Sequence, residues 1–183
     1  MNYVQAIRDP LLVENVANTL RDNNERDYIM FLCGIYSGRR IGDILRLRIG
    51  DVKGKEFFVI SEQKTGKQLR IAVHPKLRVA LKEFCKDKDP DDFLIQSREG
   101  YNKPIDRTVA YRILSKAGRK FGLENIGTHT MRKTFGYFHY LQYKNLGTLM
   151  IIFGHSSESV TKRYIGIDVE QANKTITNLC ILN

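Results

Sequence analysis

Four short stretches of the chain carry side chains that could act on a phosphate. The first is His129-Thr130-Met131-Arg132. A histidine and an arginine three apart at a helix start share a face and can reach one ligand. Two donors aimed together suit phosphate oxygens. The second is Ser37-Gly38-Arg39-Arg40-Ile41-Gly42-Asp43. Gly38 frees the backbone, Arg40 stands where a helix begins, and Asp43 is placed to orient the Arg40 guanidinium. The third is Phe153-Gly154-His155-Ser156-Ser157, followed by Lys162-Arg163-Tyr164. Gly154 ends one helix and leaves His155 at its tip. Tyr164 sits among cations, and nearby positive charge favours the phenolate, the nucleophilic form. The fourth is Lys64 in Lys64-Thr65-Gly66-Lys67, between two β-prone runs. It lacks the GxxxxGKS/T pattern and the strand-to-helix setting of a nucleotide-binding loop, so that chemistry is rejected.

Taken singly, each stretch has a plainer reading. These are a solvated His/Arg pair, an i,i+3 ion pair, a polar hairpin tip and a core tyrosine with a satisfied hydroxyl. What decides is the elements that must position them. Asp9-Pro10 is an N-cap followed by proline at the first helical position, and it opens a helix through Leu20. Glu25–Tyr36 has Tyr28, Ile29, Leu32, Cys33 and Tyr36 at helical spacing, which predicts a core helix broken by Ser37-Gly38. Arg40–Leu47 predicts a further helix, turning at Ile49-Gly50. The period then changes. Glu56–Ser61 and Gln68–Val73 predict a β-hairpin joined by Glu62–Lys67. Lys76–Lys86 returns to helix, Asp87–Asp91 is a charged turn, and Phe93-Leu94-Ile95 fits a third short strand. Asp106 caps a helix through Phe121, with Gly122 as its C′ residue. Thr130–Tyr143, Leu146–Phe153, Glu158–Tyr164 and Val169–Asn178 predict four more helices. The expected fold class is α+β, mostly helical, with a small antiparallel sheet.

The 183 residues are enough for one domain with a proper core, and nothing in the composition divides them. Thirty Lys+Arg face 20 Asp+Glu, a net charge of +10. That excess points to a polyanionic partner, nucleic acid first and an anionic membrane surface second. The membrane reading is the weaker one. There is no Trp, the apolar run Leu149–Phe153 is too short to span a bilayer, and the basic residues do not line one helix face. Met1–Gln5 shows no signal-peptide pattern. Cys33, Cys85 and Cys180 are odd in number and distant, so neither a disulfide framework nor a zinc site is expected. They read as small buried hydrophobes in a reducing cytoplasm.

In chain order the candidates are Arg40, Lys64, His129, Arg132, His155 and Tyr164. With SGRRIGDIL, QKTGK, HTMRKTF and FGHSSESVTKRY around them, the chain resembles the tyrosine recombinases, the phage-integrase-like site-specific recombinases, from about Tyr28 to Tyr164. Two positions depart from the family pattern. Arg39 stands where a hydrophobic residue is frequent, and Lys133 where His is common. Fewer than 30 residues precede the boxes, so the resemblance is to the short members. The expectation is a single catalytic domain over residues 1–183 with no N-terminal core-binding domain, unless the chain is a fragment.

The resemblance implies site-specific cleavage and rejoining of double-stranded DNA through a 3′-phosphotyrosyl intermediate on Tyr164. Arg40 and Arg132 would clamp the scissile phosphate. Lys64 would be the general acid, and His129 the proton acceptor. His155 would be a phosphate donor that helps position Tyr164, with Asp43 behind Arg40. Covalent storage of the bond implies no ATP, and no metal or other cofactor is expected. It further implies a homo-oligomer, a tetramer on paired sites, docking through the apolar tail Leu179–Leu182. Accessory DNA-bending proteins and a cytoplasmic, nucleoid-associated setting of bacterial or mobile-element origin complete the expectation. The alternatives are a type IB topoisomerase-like nicking-closing enzyme and a non-catalytic DNA-binding protein of the same fold.

Overall fold

The computed structural model describes residues 4–61 and 68–179. Helices dominate. α1 (Pro10–Asn23) starts at Asp9, whose side chain accepts from the Leu11 amide. α2 (Glu25–Ser37) is the central helix, packed against α1, α5 (Pro75–Phe84) and α7 (Thr130–Tyr143). Gly34 lets α2 and α7 approach, since a Cβ there would lie 2.5 Å from that of Met131. The hairpin forms as expected from β1 (Phe57–Ser61) and β2 (Gln68–Ala72), antiparallel, with Phe57 opposite Ala72 and Ser61 opposite Gln68. Phe58 turns into the core while Phe57 and Val59 face outward, the alternation a half-buried sheet requires. α6 (Arg107–Arg119) begins where Asp106 accepts from the Val109 amide. α8 (Leu146–Phe153), α9 (Glu158–Ile165) and α10 (Ile167–Thr177) complete the chain, all near their expected bounds.

Three expectations are corrected. The helix predicted over Arg40–Leu47 is one turn, α3 (Ile41–Ile44), and a second turn, α4 (Ile49–Val52), replaces the expected bend. The chain straightens between them because the Leu47 carbonyl accepts from the Leu94 amide at 2.8 Å. The same contact explains Phe93–Ile95. That run does not join the sheet; Phe93 forms a lone bridge with Arg48. α6 ends two residues early at Arg119, and the left-handed Gly122 (φ 71°) follows one place beyond C′.

Two apolar clusters result. The larger gathers α1–α6, the hairpin and Met131 of α7. The smaller holds Tyr137, Leu146, Leu149, Phe153, Ile165 and Ile167. An extended N-terminal segment ties them: the Ile7 amide donates to Thr134 Oγ1 at 2.9 Å, and Arg8 Nη2 donates to the Gly166 carbonyl at 2.9 Å. Cys33 and Cys85 are buried, as expected; Cys180 lies outside the described residues. Among the described residues, no helix is long and apolar enough to cross a membrane.

Candidate active site

The site forms where α7 passes between the two clusters. Its N-terminus is fixed by a tight turn, in which the Thr130 amide donates to the Gly127 carbonyl and Thr130 Oγ1 accepts from the Gly127 amide, both at 3.0 Å. This presents His129 at the mouth and carries Arg132, one turn on, into the interior at 2% exposure.

Arg132 ties three segments together. Its Nη1 donates to the Gly38 carbonyl and its Nη2 to the Phe153 carbonyl, each at 2.7 Å, and its guanidinium lies 4.2 Å from the Phe153 ring centre. Gly38 is required here twice over. Its φ is 63°, and a Cβ would lie 2.5 Å from the Phe135 ring. Burial pulls the Arg132 pKa down to about 10, with Arg40 and Arg39 adding like-charge repulsion and Tyr164 opposing. It stays a cation at neutral pH.

Arg40 follows Gly38 by two residues and is exposed at the start of α3. Its charge bears on His129, Arg132, His155 and Tyr164 together. The neighbouring Arg39 is buried and directed behind the site. The expected Asp43–Arg40 pairing is not what the structure holds. Asp43 accepts from Arg46 Nη2 at 2.9 Å, because Arg46 folds back over the single turn of α3.

Tyr164, on α9, is partly buried, and its hydroxyl lies 3.2 Å from His129 Nδ1. Its ring meets Phe153 and His155 edge-on at 5.5 and 5.2 Å, and Lys133 Nζ sits 5.1 Å from its centre. Burial raises the Tyr164 pKa, while Arg132 and Arg40 pull it back. His129 is held below the ordinary histidine value, first by burial and then by Arg132, Lys133, Arg40 and Arg107. It is therefore neutral at pH 7 and able to accept a proton.

His155 follows the left-handed Gly154 (φ 61°), the C-cap of α8. Its Nδ1 is 3.1 Å from Thr161 Oγ1. That hydroxyl itself donates to the Ser157 carbonyl at 3.1 Å, so His155 Nδ1 is the donor and its Nε2 carries the ring's lone pair. Burial, Arg132 and Arg40 all lower its pKa.

Five of the six expected residues thus converge from α3, α7, the α8–α9 turn and α9. Lys64 lies outside the described residues. Sequence reasoning missed Thr161, although it stands one turn before Tyr164 on the same face, and that spacing was the available signal.

Comparison with known proteins agrees. The phage integrase family model matches residues 10–171. The chain is 44% identical over 168 residues to the probable integrase/recombinase YoeC of Bacillus subtilis, covering 92% of each chain. It is 27% identical to a tyrosine recombinase of Pseudothermotoga lettingae, covering 97% of this chain and 66% of that one. The XerH site-specific recombinase, solved with palindromic difH substrate in a post-cleavage complex, shares the fold. Its TM-score is 0.74 at 16% identity, over 97% of this chain and 54% of XerH. The chain therefore spans nearly all of YoeC but about half to two thirds of the longer proteins. A convergent set of His, Arg and Tyr on a matching fold, in a sequence matched from Pro10 to Gln171, establishes that the chain belongs to the phage integrase family of tyrosine recombinases.

Proposed function

We propose that residues 1–183 act as a catalytic domain that cuts and rejoins duplex DNA at specific sites. The Tyr164 oxygen attacks the scissile phosphorus and the P–O5′ bond breaks. A 3′-phosphotyrosyl link forms and a 5′-hydroxyl leaves. A second 5′-hydroxyl then attacks the adduct, expelling the tyrosine and resealing the strand. The reaction exchanges one phosphodiester for another, so no nucleotide is consumed.

The observation that carries this reading is the 3.2 Å contact between the Tyr164 hydroxyl and a neutral His129 under the field of two arginines. His129 takes the phenolic proton as attack proceeds. Arg40 meets the non-bridging oxygens from the exposed side. Arg132 has N–H groups beyond its two carbonyl bonds and its hydrogen bond to Tyr164, and meets them from within. His155 presents Nε2 to the phosphate. A phosphate anion there favours the imidazolium, which is the form that donates. Lys64 is the general acid for the leaving 5′-oxygen, and Asp43 supports α3 through Arg46.

The partner is double-stranded DNA, met through the excess of 10 positive charges. Two sites are brought together by a tetramer of chains docking through the C-terminal tail Leu179–Leu182, of which Leu179 is exposed and the rest lies outside the described residues. Accessory DNA-bending proteins would assist. The test uses a pool of nicked duplexes with randomised core sequences, in which a cut releases a short strand and traps the enzyme. A protein–DNA adduct on a denaturing gel, lost in Tyr164→Phe, is the expected result. No adduct across the pool would overturn the reading. Relaxation of plasmid at unpaired sites would favour a topoisomerase-like nicking-closing enzyme instead.

A further inference from the structure

We propose that Arg39 is a positioning residue: with Arg132 it grips the last two carbonyls of α8 and thereby fixes His155 beside the scissile phosphate. This rests on the role given to His155 above.

A helix end leaves its final carbonyls without partners in the helix. At the end of α8 the Met150 carbonyl accepts from the His155 amide at 3.0 Å, and that of Ile151 from the Gly154 amide at 3.3 Å. The next two are Ile152 and Phe153. Arg39 Nη2 donates to the Ile152 carbonyl, and Arg132 Nη2 to the Phe153 carbonyl. Successive carbonyls are therefore met by two guanidiniums from different elements. Both cations sit at the negative end of the helix dipole, where positive charge is favoured. The residues that follow directly are Gly154 and His155.

Arg39 is itself held from behind. Its amide donates to Ser37 Oγ at 3.3 Å, and Ser37 is buried on the last turn of α2. Gly38, Arg39 and Arg40 thus serve three directions from one left-handed turn. The Gly38 carbonyl receives Arg132, Arg39 reaches α8, and Arg40 opens to the site.

Arg39 and Arg132 are like charges in one interior, each 2% exposed. For packing alone an apolar side chain would serve as well, because buried ions lose hydration that their partners only partly return. What the second guanidinium adds is a directed bond that fixes where α8 stops.

The test compares the full chain with Arg39→Met, which keeps bulk and removes the donors. The fold should survive, with an unfolding temperature somewhat below that of the parent because the Ile152 carbonyl loses its donor, and duplex affinity should stay within about twofold. Single-turnover adduct formation on a nicked duplex selected from the randomised pool should fall about ten- to hundredfold, the effect of a small misplacement at a reacting centre. Arg39→Lys should recover part of it. The imidazole carbon–proton NMR signal of His155 should shift in Arg39→Met. An unchanged adduct rate with an unchanged His155 signal overturns the proposal. If Arg39→Met does not fold, Arg39→Lys carries the test alone: a parental rate and His155 signal overturn it. If the parent forms no adduct, the tyrosine reading fails separately and the His155 signal alone decides for Arg39.

Discussion

The larger apolar cluster and the smaller one divide the labour of the site. The larger unites six helices and the hairpin, and it holds Arg40 at its rim. The smaller rests on six buried residues, and the short helices α8 and α9 around it deliver His155 and Tyr164. Helices of eight residues are not stable alone and depend on packing. α7 belongs to both clusters, through Met131 on one side and Tyr137 on the other. Between them lie His129 and Arg132. Arg40, one arm of the proposed phosphate clamp, thus stands on the larger cluster and Tyr164, the proposed nucleophile, on the smaller, with Arg132 at the seam. The seam is closed by polar bonds of Arg132 rather than by apolar contact alone. That division predicts that α8 and α9 open locally before the elements of the larger cluster.

The largest effect separates chemistry from scaffold altogether. Tyr164→Phe removes the reacting oxygen and leaves the ring against Phe153 and His155. Adduct formation should vanish while duplex binding and the unfolding temperature persist. A covalent complex from this variant would remove Tyr164 as nucleophile.

The next comparison sets the two arginines against each other. Arg40→Ala and Arg132→Ala should each slow single-turnover cleavage by about 10²–10³-fold, as loss of one preorganised donor does elsewhere. Their stabilities should part. Arg40 is exposed, and its loss should move unfolding by no more than about 0.5 kcal/mol. Arg132 leaves the Gly38 and Phe153 carbonyls without their donor in the interior, which should cost about 2–5 kcal/mol. Denaturant titration of both variants decides. Equal stabilities would mean that the seam does not depend on Arg132.

Gly136 gives a smaller and more local wedge. A Cβ there would lie 2.6 Å from Ile165 and 2.7 Å from Phe153. Gly136→Ala should push α9 from α7 and destabilise by about 1–3 kcal/mol. Amide hydrogen exchange should quicken in α8 and α9 and stay unchanged in α2. Uniform quickening across both clusters would show that they unfold as one.

Much of this was legible in the sequence, for identifiable reasons. Period and caps located the long helices, because Asp9-Pro10, Asp106 and the Gly154 stop act within a few residues. Local signals failed where a distant partner decides. Leu47 and Arg48 look helical until Phe93 and Leu94 arrive to pair with them. Asp43 stands three residues from both Arg40 and Arg46, and spacing cannot choose between them. The order of His, Arg and Tyr pointed to the family to which the chain belongs. That Arg132 also closes the seam depends on carbonyls 94 and 21 residues away in the chain, which no local pattern encodes.

The smallest effect is one of pH, and it too can be split between scaffold and site. All four histidines have lowered pKa values, and in each the first cause is burial. The unfolded chain therefore takes up protons near 6.5 while the folded chain still refuses them. Stability is full above that value and declines as pH falls through the depressed folded values. Thermal unfolding from pH 8 to 5 should show a falling midpoint below about 6.5. The rate should decline over the same range, because His129 must be neutral to accept the Tyr164 proton. The two declines have different owners. His139→Asn removes a half-buried titrating ring outside the site, so it should flatten the stability profile in part and leave the acid limb of the rate. His129→Gln should lower the rate at every pH and remove that limb, since no proton then competes for the accepting nitrogen. If the limb survives His129→Gln, the proton from Tyr164 goes elsewhere, and His155, whose ring meets that of Tyr164, becomes the acceptor to test.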